Sequence, residues 1–219
     1  TLSRTFGGEE RFFRIQLGHI QNKKALTGRL ITLSDITEEN LLLKKIETMA
    51  RTDEMTSLYN RRYFTALAEQ EILRGRRYRE PFSFVMFDLD HFKRINDSLG
   101  HPVGDAVIIR FAEILRETLR EADIVGRVGG EEFAVVMPET SIESAKQVCE
   151  RLRKKVEETQ VPLSKGEVTF TVSAGITELS QRYPIPPEEK KSPLDVLFER
   201  ADKALYEAKI RGRNRVVIS

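Results

Sequence analysis

Little in this chain invites a covalent or membrane-bound account of its fold. One cysteine, Cys149, stands among 219 residues, so no intrachain disulfide can form. It falls on the apolar face of an expected helix, where a thiol is buried and inert. A reducing cytosol suits such a chain. No apolar run is long enough to span a bilayer, and no secretory leader is visible. The expected location is cytoplasmic, with no membrane contact by this stretch. The chain opens at Thr1 rather than Met, which marks it as a fragment and leaves room for a membrane anchor upstream. An excess of one charge is lacking too. The 36 basic residues nearly balance the 34 acidic ones, for a net charge of +2. That balance argues against a nucleic-acid polymer as partner, so any anion site must be local. No internal repeat is visible.

What is present reads as an α+β chain in three parts. Residues 10–34 alternate apolar and polar positions, with Phe13, Ile15 and Leu17 in one run and Gly28–Leu33 in another. Two strands are too few for a domain. Asp35 or Thr37 then caps a helix with Glu38 and Glu39 in its first turn. Leu42, Leu43, Ile46, Met49 and Ala50 recur three and four apart, roughly two heptads of a parallel dimer coil. The alternative is an amphipathic helix packed on its own domain. Residues 51–62 are turn-rich and read as a hinge.

Beyond the hinge, helices are expected over 62–78, around Phe92–Leu99 and from Ile108 to Leu119, with Gly100–Asp105 as a turn. Thr140-Ser141-Ile142-Glu143 resembles a capping box that opens another helix. A last helix runs from Ser192-Pro193 to about Arg211. Strands are expected at Phe82–Phe87, on both sides of Gly129-Gly130, at Val168–Ile176 and at Arg215–Ile218. Gln181–Lys191 is a Pro- and charge-rich loop.

Two places carry chemistry. The nearly continuous apolar run Phe82–Phe87 suits a central strand buried on both faces. It ends in Asp88-Leu89-Asp90, and a carboxylate there is costly unless it has a partner or a metal. Arg127-Val128-Gly129-Gly130-Glu131-Glu132-Phe133 reads as a tight hairpin with two carboxylates at its turn. Gly lets a substrate lie against the backbone. Taken alone, such a turn is more often an acidic surface hairpin than a site.

Together these residues resemble the GGDEF family of diguanylate cyclases. The matching motifs are Asp53-Glu54-Met55-Thr56-Ser57-Leu58-Tyr59-Asn60-Arg61-Arg62, Phe87–Asp97, Gly100–Asp105, Gly129–Phe133, and Ala201–Lys209 with Gly212-Arg213-Asn214. The match covers residues 52–219. Met55, where the family usually has Leu, is the one departure, and it is near-isosteric.

The resemblance implies a palm-like, mainly antiparallel sheet flanked by helices, preceded by a β-hairpin remnant and a linker helix. It implies condensation of two GTP into cyclic di-GMP and two pyrophosphates. Asp88, the Leu89 carbonyl and Glu131 are expected to hold Mg²⁺, with Mn²⁺ an alternative and Glu132 as a second metal contact. Glu131 also either accepts the 3′-hydroxyl proton or polarises it through the metal. Gly129 and Gly130 admit the nucleotide. Asn96 and Asp105 read guanine, and His101 either lines that pocket or packs beside it. Lys93, Lys209 and Arg213 suit the terminal phosphates; the last two share a face if the final helix persists that far.

Arg120-Glu121-Ala122-Asp123 matches the family's inhibitory RxxD motif for cyclic di-GMP, with Arg151 as its second arginine. Residues 11–37 resemble the last strands of a PAS sensor domain. The expected parts are residues 1–36 as partial PAS-like strands, 37–51 as linker helix and 52–219 as cyclase domain. The product joins two nucleotides head to tail, so two chains must face each other as a homodimer. The competing readings are a non-catalytic cyclic di-GMP receptor of the same fold and a purely structural dimerisation module.

Overall fold

The computed structural model describes residues 2–6, 9–22, 25–163, 166–179 and 191–219. Apart from Lys191, the expected loop Gln181–Lys191 lies outside the described residues. The chain divides into two compact units, Thr1–Ala50 and Arg51–Ser219.

The first unit is an antiparallel sheet of three strands, β1 (Leu2–Phe6), β2 (Glu9–Asn22) and β3 (Ala25–Asp35), in the order β1-β2-β3. Two strands were expected. The third arises because the long β2 offers a second edge whose amides and carbonyls need partners. Ile15 pairs with Leu33 and Leu17 with Ile31, so these four share one face, and all four are exposed. Helix α1 (Thr37–Arg51) follows directly. Asp35 Oδ1 accepts from the Thr37 amide at 2.9 Å and starts it. Leu42, Leu43, Ile46 and Met49 of α1 are exposed.

The second unit begins with β4 (Tyr59–Asn60), α2 (Arg61–Tyr78) and β5 (Phe82–Leu89). Then come α3 (Phe92–Leu99), α4 (His101–Thr118), β6 (Ile124–Arg127) and β7 (Glu132–Pro138). It closes with α5 (Ile142–Glu157), β8 (Gln160–Pro162), β9 (Glu167–Thr169), β10 (Val172–Leu179), α6 (Pro193–Ile210) and β11 (Val216–Ile218). Six strands form one sheet in the order β11-β10-β5-β7-β6-β4. The inner pairs β10–β5, β5–β7 and β7–β6 are antiparallel, and the outer strands β11 and β4 add in parallel. The fold is α+β, a mixed and mainly antiparallel sheet flanked by helices.

Strand periodicity explains the two layers. In β5 and β7, Val85, Phe87, Leu89, Phe133, Val135 and Met137 point to one side, where Phe111 and Leu115 of α4 and Cys149 and Leu152 of α5 complete a buried core. Their neighbours Phe84, Met86, Ala134 and Val136 point to the other, against Phe64 and Ala68 of α2 and Leu197 and Ala201 of α6. The near-continuous apolar run of β5 is therefore an inner strand with a helix layer on each face. Burial pushes the Cys149 thiol far above its ordinary range, which keeps it unreactive.

Four local expectations are corrected. The segment Gly100–Asp105 is not a turn: Gly100, at φ 86°, ends α3, and α4 starts at once with Pro102 in its first turn, where a missing N–H costs nothing. The cap of α5 is Ser141 rather than Thr140. Ser141 Oγ accepts from the Ser144 amide, while Thr140 Oγ1 donates to the Pro138 carbonyl. The single strand expected over Val168–Ile176 breaks at Phe170-Thr171, because β9 pairs with β8 in a separate two-stranded sheet and β10 with β5. Finally, α6 ends at Ile210, so Arg213 does not extend its face.

Candidate active site

The end of β5 and the turn between β6 and β7 make the centre of the site. Asp88 pairs across the sheet with Glu132 and with Ser173. Alternation turns Asp88 to the α6 side, where Lys209 Nζ meets its Oδ2 at 2.8 Å. The Leu89 amide donates to the Glu131 carbonyl at 3.3 Å, which ties the turn to the strand end. Gly129 lies close under Glu132: a Cβ there would stand 2.3 Å from Glu132 Oε2 and would push that carboxylate aside. At Gly130 a Cβ would meet nothing within 4 Å, so the backbone edge is open on that side.

The electrostatics are those of carboxylates short of positive charge. Burial pushes Asp88 above the usual carboxylate range, against the opposing pull of Lys209 and Arg213. Burial also raises Glu131, and the charge of Asp88 adds to it. Among the described residues, no three carboxylate, imidazole or thiol groups form a metal cage by themselves. Asp88, Glu131 and a backbone carbonyl are hard oxygen donors, and a Mg²⁺-type ion bound chiefly through phosphate oxygens fits that set.

The expected guanine readers lie at the junction of α3 and α4. Asn96 Oδ1 is buried and has no hydrogen-bond partner among the described residues, an unmet acceptor of the kind a ligand donor satisfies. Gly104 gives it room, since a Cβ there would come within 1.9 Å of that oxygen. Asp105 is exposed on α4, next in sequence to Gly104, and His101 and Lys93 are exposed on α4 and α3.

A second group stands apart. Arg120 and Asp123 line a groove of about 450 Å³ with Tyr59, Arg116 and Leu119. The Arg120 amide donates to Asp123 Oδ2 at 2.9 Å. Burial raises Asp123 above its ordinary value despite that bond. Arg151 is not among the groove's lining residues; it donates to the Thr118 carbonyl at the end of α4.

The family model for the diguanylate cyclase GGDEF domain matches residues 50–215. The chain belongs to the GGDEF family. This GGDEF domain is 41% identical over 170 residues to diguanylate cyclase DgcP of Pseudomonas aeruginosa, a match covering 78% of this chain and 24% of DgcP. It is 38% identical to diguanylate cyclase A of Treponema denticola, over 90% of this chain and 51% of that protein. The chain thus spans about half or less of the length of these curated relatives. The solved coiled coil and GGDEF domain of DgcB from Caulobacter crescentus, in complex with c-di-GMP, superposes with a TM-score of 0.75 at 28% identity, covering 84% of this chain and 93% of that one. The active GGEEF domain of a diguanylate cyclase from Vibrio cholerae gives a TM-score of 0.64 at 33% identity, covering 73% and 96%.

Sequence reasoning missed what braces the GGDEF turn. Arg127 donates from Nε and Nη2 to the Gly130 carbonyl at 3.1 and 2.7 Å, and from Nη1 to Asp53 at 3.2 Å. Asp53 in turn accepts from the Thr56 amide and hydroxyl. The residues read as a hinge therefore anchor the turn that carries Glu131. The signal was there in the three-residue spacing of Asp53 and Thr56, which suits a carboxylate-closed turn.

Proposed function

We propose that the chain is a diguanylate cyclase that condenses two GTP into cyclic di-GMP with release of two pyrophosphates. The observation that carries this is the gathering of Asp88, Glu131, Lys209 and the open backbone of Gly130 at one end of the sheet. In each of two steps a 3′-hydroxyl oxygen forms a bond to the other nucleotide's α-phosphorus, the α–β bridging bond breaks, and pyrophosphate leaves. Glu131 takes the hydroxyl proton. Asp88 and the Leu89 carbonyl would hold Mg²⁺ with Glu131, with Glu132 as a further contact. When bound, the ion offsets charge growing on the α-phosphate and the leaving group. Lys209, Arg213 and Lys93 hold the terminal phosphates. Asn96 and Asp105 read guanine, with His101 at the rim.

Each half-site supplies one nucleotide, so the reaction needs a homodimer. The exposed Leu42, Ile46 and Met49 of α1 support parallel pairing through this helix, and the three-stranded sheet before it is read as the end of a PAS-like sensor. Product feedback runs through the groove of Arg120 and Asp123, with Arg151 nearby; that DgcB was solved with c-di-GMP supports a place for product on this fold. A non-catalytic cyclic di-GMP receptor is the second reading, which the Arg120–Asp123 groove alone would satisfy.

Incubation with GTP and Mg²⁺, followed by chromatography of the nucleotides, tests the two. Cyclic di-GMP that accumulates and then stalls supports synthesis with feedback, and Arg120→Ala is expected to remove the stall. Glu131→Gln is expected to abolish synthesis while the fold persists. No turnover after removal of any bound product would favour the receptor.

A further inference from the structure

Two aspartates end β5, and their surroundings differ sharply. Asp88 is also buried, and its partner is Lys209, an ion pair on one oxygen. Asp90 is 4% exposed, and both of its oxygens are engaged. Its Oδ1 accepts from Ser173 Oγ at 2.7 Å. Its Oδ2 accepts from Thr171 Oγ1 at 2.7 Å and from the Asn214 amide at 2.9 Å. The last bond reaches the turn that carries Arg213.

That turn is not one the chain would adopt unaided. Helix α6 has ended, and Gly212, Arg213 and Asn214 have φ of 112°, 63° and 45°. Left-handed backbone at two successive non-glycine residues costs about 1 kcal/mol or more at each, and it persists only where the surroundings impose it. The restraints are visible. Asp90 holds the Asn214 amide from one side. From the other, Asn214 donates to Glu157 Oε1 at 2.8 Å and accepts from Arg153 at 2.9 Å.

We propose that Asp90 is a positioning residue for Arg213: it ties the Gly212–Asn214 turn to the same strand end that presents Asp88, and so sets the guanidinium's place relative to the carboxylate site. This rests on the reading of Arg213 as a contact to the terminal phosphates of GTP. Asp90 follows directly on Leu89, the last residue of β5, and so lies next to the strand end that carries Asp88. The Arg213 side chain need then be ordered only beyond its own Cα.

The test compares GTP and GMP affinities by calorimetry at fixed Mg²⁺ in Asp90→Asn, Arg213→Ala and the double variant. Asn keeps the shape but loses one carboxylate acceptor. Asp90→Asn is expected to weaken GTP roughly 10-fold, the scale of one charge-assisted phosphate contact, and to leave GMP within about 2-fold. In steady state the loss is expected to fall on KM more than on kcat. In the Arg213→Ala background the same change is expected to have no further effect on GTP. Equal loss with and without Arg213 would overturn the positioning role while leaving the phosphate contact intact. Unchanged GTP affinity in Arg213→Ala would remove the phosphate contact itself, and the proposal with it. If Asp90→Asn does not fold, Thr171→Val removes one of the bonds that hold Asp90 Oδ2 in place; an unchanged ratio of GTP to GMP affinity in that variant would also overturn the proposal.

Discussion

In the three-stranded sheet, Ile15, Leu17, Ile31 and Leu33 line up across β2 and β3 and stay exposed, whereas Phe84, Phe87, Phe133 and Ile176 of the six-stranded sheet are fully buried. Both sheets follow the same alternation of side chains. What differs is cover. Helices α4 and α5 close one face of the larger sheet, and α2 and α6 the other, while no described residue of the first unit closes the apolar face of β2 and β3. Alternation fixes which residues share a face. The value of that face depends on what the chain lays over it.

Substitutions can sharpen this contrast, and the largest effect belongs to the larger sheet. Phe133→Ala is expected to cost about 3–5 kcal/mol, because the ring packs edge-on to Phe111 at 4.9 Å between centroids in a core without slack; urea unfolding of the second unit measures it. A cost below about 1 kcal/mol would mean that the layer can collapse onto the gap.

Next comes the brace at the catalytic turn. Arg127→Ala takes the ion-pair partner from the partly buried Asp53 and the guanidinium donors from the Gly130 carbonyl and is expected to cost about 2 kcal/mol. Asp53 is pushed up by burial but held below its ordinary value overall by Thr56 and Arg127. Its contribution is therefore present above the unfolded carboxylate range and lost as pH falls through the lowered value. The gap in stability between wild type and Arg127→Ala should narrow in acid.

Asp88 has the opposite sign. Its raised pKa means that the folded chain binds this proton more tightly than the unfolded one. Stability of the metal-free protein should rise as pH falls from neutral through the raised value, and fall as pH rises through it. Asp88→Asn is therefore expected to raise the Tm of the metal-free protein at neutral pH by about 2 °C while removing synthesis. A lower Tm would mean that the Lys209 contact outweighs burial.

The smallest effect is expected in the first sheet. Leu17→Ser at a site 75% exposed should change the stability of that unit by less than about 0.5 kcal/mol. A large loss there would show the face to be covered in solution.

Some of this was legible in advance, for physical reasons that differ by residue. The layers around β5 could be read because an apolar run of strand length has few other fates. Cys149 could be placed because helical spacing put it among Ala145, Leu152 and Val156. Asp88 and Glu131 stood out because carboxylates beside buried strands need compensation. The start of α4 was misread because Gly100-His101-Pro102 is turn chemistry locally, and only the packing of Val107 and Phe111 decides that the helix begins there. The bonds of Arg127 to Asp53 and of Asp90 to Asn214 span 74 and 124 residues, and no local pattern encodes them.

The sequence by itself determined most of the strands and helices, which of their faces are apolar and which carboxylates stand beside buried strands, because these depend on near neighbours and on periodicity. Tertiary structure alone decided that Asp88 meets Lys209 while both oxygens of Asp90 are spent on hydrogen bonds, and that Arg213 projects from a left-handed turn rather than a helix. Residues two apart on a strand end have the same local code. Their fates separate only when Thr171, Ser173 and Asn214 arrive from distant parts of the chain.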